Sequence, residues 1–238
     1  MLSIMNRSKV QTIIWGLLMS LFVAGCAGYQ TVVEKPAGEL VDEGIHHFDK
    51  GDYKKAIDSF EQLKDWYPFS KYAILAELKI ADAHFQLGQY SDAVFAYEEF
   101  EKLHPRNEAI PYVIYQIGMS HYLQVDTVDR DQTSAQKAMA AFERLILQYP
   151  QDSYAHLAQG YVDKCIKSMS GHEFYVGIYY YRIKKYQAAL GRFKKLINDY
   201  SDMGIHTKAL AYISNCETLL KIQAKTEKKK KKLYFMPE

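Results

Sequence analysis

A chain of 238 residues holds 30 Lys and Arg against 28 Asp and Glu. Two of the bases, Arg7 and Lys9, fall in the first 25 residues, so the rest is formally neutral and has no global field to draw it to nucleic acid. The 213 residues after position 25 suffice for one elongated repeat domain.

Residues 1–25 read as an export signal. After the two bases, Thr12 to Gly25 is apolar apart from Thr12 and Ser20, and is short for a membrane span of about 20 residues. It closes on Leu21-Phe22-Val23-Ala24-Gly25-Cys26, with small residues directly before a cysteine. This resembles a bacterial lipobox, which implies cleavage before Cys26 and diacylation of its thiol. Ala27 in place of Asp then favours sorting to the outer membrane. The alternative is an uncleaved signal anchor with an incidental cysteine. Residues 26–37 form a polar tether containing Pro36, and a dozen flexible residues span roughly 20 Å. Its purpose is location, holding the folded part near the membrane surface.

The domain over 38–222 is built on a repeated string. Gly51-Asp52-Tyr53 makes a tight turn into a helix carrying Ala56, Ile57, Phe60 and Leu63, and Pro68 stops it. The string returns 37 residues later as Gly88, Tyr90, Ala93, Val94, Tyr97, Phe100 and Pro105. A third copy keeps Ala138, Met139, Phe142, Leu145 and Pro150. A fourth keeps Tyr186, Ala189, Leu190, Phe193 and Leu196, with Ser201 where Pro would fall. The spacing predicts helix pairs at 38–50 with 53–66, 70–87 with 90–103, and 109–124 with 134–148. Two more follow at 153–169 with 172–184, and 186–199 with 204–222. Gly44 precedes Ala56 by 12 residues and Gly118 precedes Ala138 by 20, so eight residues are inserted, as a polar loop over 125–132. Strand signals are absent. The prediction is an all-α solenoid, an α-α superhelix of about five helix pairs, stable only by stacking neighbours. The pattern of Gly, Ala, aromatic and Pro resembles the tetratricopeptide repeat, without the Trp of that family's first-helix signature.

Candidate chemistry is sparse. His47, His84 and His121 are repeat equivalents, each followed by an aromatic residue, which marks a packing position rather than a metal site. Cys165 and Cys216 sit in apolar helical patterns. They read as buried thiols, with a disulfide as the alternative. No G-x-S-x-G elbow, phosphate loop or H-E-x-x-H occurs, and Glu98-Glu99 are adjacent and face different sides of a helix. No enzyme, cofactor or metal is expected.

Binding remains. First helices line the inner surface of a stacked superhelix, which directs Ile45, Phe48, Leu78, Asp82, Phe85, Tyr115, Met119 and Tyr122 partly into a groove for polypeptide. The alternative for the aromatic residues is the helix core. A second surface is electrostatic: Arg182, Lys184, Lys185, Arg192, Lys194 and Lys195 occur without an intervening acid, whereas Glu34–Asp65 has nine acids against five bases. Such opposition orients partners. Arg192 is the preferred anchor, since its guanidinium can grip a partner carboxylate with two hydrogen bonds.

An ordered set of motifs lies outside the repeat consensus: Tyr67-Pro68-Phe69-Ser70-Lys71-Tyr72, Leu103-His104-Pro105, Asp129-Arg130-Asp131, Tyr149-Pro150 and Ser153-Tyr154-Ala155. With the lipobox ahead of them, they resemble the BamD family, tetratricopeptide lipoproteins of the β-barrel assembly machinery. The resemblance runs from Cys26 to about residue 222. It implies a periplasmic scaffold anchored to the outer membrane. Its N-terminal repeats, including Tyr67, Phe69 and Tyr72, would receive unfolded outer-membrane proteins. Its C-terminal repeats, including Arg192, would dock on BamA, with other assembly lipoproteins attached. The rival reading is a tetratricopeptide lipoprotein that organises cell-wall enzymes. Residues 223–238, with five lysines over 228–232, are expected to be a disordered tail. That tail serves either to contact anionic lipid or a partner, or simply to keep the chain soluble.

Overall fold

The computed structural model describes residues 34–234, with side chains to residue 230. The expected signal, the expected lipidation site Cys26 and most of the expected tether lie outside the described residues.

Among the described residues there are nine α-helices and no strand. They are α1 (Ala37–Asp49), α2 (Tyr53–Trp66), α3 (Ala73–Gln86), α4 (Tyr90–Leu103) and α5 (Ile110–Tyr122). Then come α6 (Thr133–Gln148), α7 (Ser153–Arg182), α8 (Tyr186–Asp199) and α9 (His206–Tyr234). Each helix packs on its neighbours in sequence, and α5 also touches α7. The molecule is the expected all-α solenoid of tetratricopeptide-like pairs.

The repeat string does what its residue types require. Ala56, Ala93, Ala138 and Ala189 are fully buried, as are Phe60, Tyr97, Phe142 and Phe193 one turn later. Each large ring needs a matching hollow. An added Cβ would stand 2.5 Å from the Phe60 ring at Gly44, 2.5 Å from Phe142 at Gly118, and 2.6 Å from Phe193 at Gly177. Gly177 is a third crossing glycine, 12 residues before Ala189 as Gly44 is before Ala56.

The turns inside three pairs share one hydrogen-bond pattern. At each, a residue in the left-handed region donates to the carbonyl three residues back, and the next donates five back. The bonds are Gly51 to Phe48 and Asp52 to His47, Gly88 to Phe85 and Gln89 to His84, then Lys184 to Tyr181 and Lys185 to Tyr180. Across each turn two rings meet edge to face: Phe48 with Tyr53, Phe85 with Tyr90, and Tyr181 with Tyr186, at 5.2, 5.7 and 5.5 Å. Lys184 therefore fills a glycine position, at φ 61°.

Two expectations need correction. The helices predicted at 153–169 and 172–184 are one 30-residue helix, α7. Its first half packs against α6 and α5, and its second half pairs with α8 through Gly177 and Phe193. A helix tolerates the Ser170-Gly171 step when both residues are held in place. Ser170 is fully buried, and the inserted loop clasps this stretch. Ser168 Oγ donates to Gln132 Oε1 at 2.7 Å, and Gln132 Nε2 donates to the carbonyls of Thr127 and Arg130. His172 Nδ1 lies 2.7 Å from the Val128 carbonyl. Second, the lysine run does not begin a disordered tail. It continues α9 to Tyr234, with every side chain from 221 to 230 exposed. Cys165 and Cys216 are both free and buried, because they lie on different helices in separate apolar clusters.

Candidate functional site

The residues expected to line the groove fall into three groups. Phe48, Tyr67 and Tyr72 pack at the edge of the N-terminal apolar cluster formed by Leu40, Phe60, Leu63 and Ile80. Phe48 is half-buried between Tyr53 and Lys79, whose Nζ stands 4.5 Å from its ring centre. Phe69, in the α2–α3 loop, is fully exposed at 101%. Phe85 stabilises the second turn against Tyr90, so Phe48 and Phe85 serve the repeat as well as any partner.

Asp82 is a correction. It was expected in the groove, but it is only 7% exposed. Its Oδ1 accepts from Tyr97 at 2.8 Å and from Tyr112 at 2.7 Å, and its Oδ2 accepts from Lys79 at 3.1 Å. The carboxylate ties α3 to α4 and α5 instead of facing a ligand. Burial, with the Asp82 charge next, raises both tyrosine pKa values beyond the ordinary phenol range.

Tyr115, Met119 and Tyr122 occupy the α5 side facing α7, where they meet residues that the periodic pattern did not single out. Ring contacts run Tyr112–Tyr154 (5.4 Å), Tyr154–Tyr115 (5.3 Å), Tyr115–Tyr161 (6.1 Å) and Tyr161–Tyr122 (4.9 Å). All five tyrosines are half-buried. Lys164 caps one end, with Nζ 4.2 Å from the Tyr161 ring and 5.9 Å from Tyr122. Burial, followed by the neighbouring Tyr161, pushes the Tyr115 phenol up to about 12, so it stays neutral at physiological pH. The band opens beside Tyr122 into a cleft of about 410 Å³ lined by Val128, Lys164, Lys167, Met203 and Ile205. Such a surface offers flat apolar rings, neutral hydroxyls and two cations, which suits polypeptide binding. The signal for Tyr154 and Tyr161 was their spacing of seven residues on one face of a helix.

The basic end is also rearranged. Of the six bases without an acid in sequence, Arg192, Lys194 and Lys195 acquire acids from neighbouring helices. Glu173, 4% exposed, accepts from Arg192 Nη1 at 3.0 Å and from Lys195 Nζ at 2.6 Å. Lys194 pairs with Glu217 at 3.1 Å. Arg192 is thus oriented by Glu173, with its side chain still 39% exposed. Lys184 serves the turn through its backbone, and the side chains of Arg182, Lys184 and Lys185 are exposed. Arg182 continues a stripe missed in the sequence: Tyr175 and Tyr179, spaced one turn apart, are exposed beside a cleft with Val128, Ile178 and Tyr212.

No group of His, Cys, Asp and Glu that could hold a metal occurs among the described residues, and no described helix is long and apolar enough to cross a membrane. His47 and His84 are spent on helix-end contacts, with Glu43 and Asp52 near the first and Gln89 bonded to the second. Burial, with Lys137 beside it, lowers the His121 pKa. Burial raises the Cys165 thiol to about 11, which leaves it unreactive.

Comparison with known proteins places this arrangement. A family model described as YfiO, outer membrane lipoprotein, matches residues 33–233, from before α1 into the last turn of α9. Three curated relatives are each named outer membrane protein assembly factor BamD. That of Rickettsia prowazekii is 31% identical, the match covering 77% of this chain and 74% of the relative. That of Caulobacter vibrioides is 30% identical over 82% of this chain, which spans just 65% of the relative. That of Vibrio cholerae is 27% identical, covering 85% and 88%. Among solved structures, the TPR2AB-domain:pHSP90-complex of yeast Sti1 is similar at 11% identity and a TM-score of 0.49, covering 77% of this chain and 70% of that one. With nine helices and three crossing glycines among the described residues and a family match along their length, the chain belongs to the BamD (YfiO) family of outer membrane lipoproteins.

Proposed function

We propose that this chain is a non-enzymatic scaffold of outer-membrane-protein assembly. It binds unfolded outer-membrane polypeptides on its tyrosine band and docks on BamA and accompanying lipoproteins through α7 and α8. A covalent lipid on Cys26 holds it at the outer membrane, facing the periplasm. Family membership supports the role in assembly.

The observation that carries client binding is the run of five half-buried tyrosines between α5 and α7. An unfolded β-barrel segment is an extended chain with apolar and aromatic side chains on alternate residues. Rings on that chain can stack on rings of the band, while tyrosine hydroxyls other than that of Tyr112, which Asp82 holds, can hydrogen-bond its backbone. The band is a low-entropy surface because its own contacts already fix the rings. Docking on BamA is assigned to Arg192, aimed by Glu173, together with Arg182 and the exposed Tyr175 and Tyr179.

The test uses a labelled peptide with alternating aromatic residues and its fluorescence anisotropy. Tyr122→Gln should weaken binding by about tenfold, the scale of one lost aromatic anchor, with the helical circular dichroism spectrum retained. Phe69→Gln, at a side chain that packs on nothing, reports separately on the N-terminal loop. Unchanged affinity in a folded Tyr122→Gln protein would remove the band from the account.

A further inference from the structure

Leu220 is the last residue of α9 packed on the C-terminal apolar cluster. Beyond it the helix runs on to Tyr234 with all of 221–230 exposed. At about 1.5 Å per residue, that rod projects roughly 20 Å past the core. Residues 221–232 contain seven lysines and one acid, Glu227. At 3.6 residues per turn, Lys221, Lys225, Lys228 and Lys229 fall within about 100° of one another, so the helix carries a positive face. Like charges three and four residues apart oppose the helix, and an apolar face that would compensate is missing. Such a helix is rewarded by a partner of diffuse negative charge.

The sequence continues Leu233-Tyr234-Phe235-Met236, an apolar and aromatic quartet directly after the bases. Polybasic charge beside aromatic and apolar side chains matches the layered chemistry of a bilayer surface, anionic headgroups over hydrocarbon. A protein partner would need a fixed anchor on the rod, and Ile222 is the one large apolar side chain among 221–230. Nucleic acid would satisfy the charge and leave the quartet unused.

We infer that α9 from Lys221 onward is a membrane-docking element whose ligand is the anionic phospholipid headgroup. It adds a headgroup-specific contact with the bilayer to the multiply acylated anchor proposed at Cys26. The element acts without the acyl group and without clients, so its test is separate from that of the assembly role.

The experiment takes the chain from Ala27 to Glu238, made without the signal and therefore without lipid. It is sedimented with vesicles of phosphatidylcholine, or of phosphatidylcholine containing about a third phosphatidylglycerol. Binding to the anionic vesicles should be about a hundredfold stronger than to the neutral ones at low salt, and should fall at least about tenfold at several times higher salt. Replacing Lys228 to Lys232 by Gln, a good helix former, should remove that preference. Deleting 233–238 should spare the salt-sensitive part and abolish what persists at high salt. Equal binding by the Gln variant, or equal binding to both vesicles, would overturn the inference. Tighter binding to a short DNA duplex than to vesicles at equal anionic charge would overturn it in favour of nucleic acid.

Discussion

An absent Cβ sets how closely three of the helix pairs approach. Gly44, Gly118 and Gly177 each admit a phenylalanine ring into the space that a methyl group would occupy. Gly118→Ala should cost about 1–3 kcal/mol, the scale of overpacking a tight core, seen as a lower urea midpoint. Gly160→Ala makes the comparison clean. That glycine is exposed within α7 with nothing inside 4 Å of its added Cβ, so the change should stabilise by up to about 1 kcal/mol. A neutral Gly118→Ala would mean that the ring can move aside. Lys184 gives the converse: a side chain held at φ 61° where its two counterparts are glycine. Lys184→Gly should stabilise by about 1 kcal/mol as backbone strain is relieved, seen as a higher urea midpoint. Gly44 and Gly118 were legible because their spacing to Ala56 and Ala138 follows the repeat. Gly177 was hidden because the turn beyond it carries Lys184. The fates of Asp82 and Arg192 could not be read from the sequence, since the tyrosines around one and the glutamate beside the other come from distant helices.

At the scale of elements, α7 is the instructive case. Repeat period placed a helix break near Ser170-Gly171, but a break is needed only if the two halves diverge. The inserted loop prevents this through Gln132 and His172, and the polar run 125–132 showed only that a loop exists, not what it grips. The second half of α7 is then secured to α8 by Glu173. Burial opposes ionisation of that carboxylate, but hydrogen bonds from Lys195 and Arg192, with their charges, outweigh it and hold its pKa below the ordinary value. A folded-state pKa below the unfolded value of about 4.3 gives stability that is present above that pH and lost as pH falls through the folded pKa. Urea midpoints measured from neutral to acid pH should therefore drop more steeply below about pH 4 in the native chain than in Glu173→Gln. Parallel curves would show that the cluster is not a source of acid sensitivity. In α9 the error ran the other way. A block of like charge was read as disordered, whereas the helix nucleated by packed residues up to Leu220 carries on through it.

For the whole molecule, architecture was readable because stacked repeats reuse one local solution, so that a string of seven residues reports on the nine helices of the described residues. The proposed binding surfaces were less readable, because they are assembled between repeats. Tyr112, Tyr115 and Tyr122 come from one helix, Tyr154 and Tyr161 from the next first helix, and only their contact makes a band. The acidic start over 34–65 and the basic C-terminal helices survive as an asymmetry, moderated by Glu173 and Glu217. On the proposed reading, the aromatic band, the oriented arginine and the basic rod hold other polypeptides beside a membrane. The most direct test is copurification of the tagged full-length chain from cell membranes in mild detergent. The account predicts BamA as the principal partner, reduced when Arg182 and Arg192 are both changed to Glu. Cell-wall enzymes recovered in its place, with BamA absent, would contradict it.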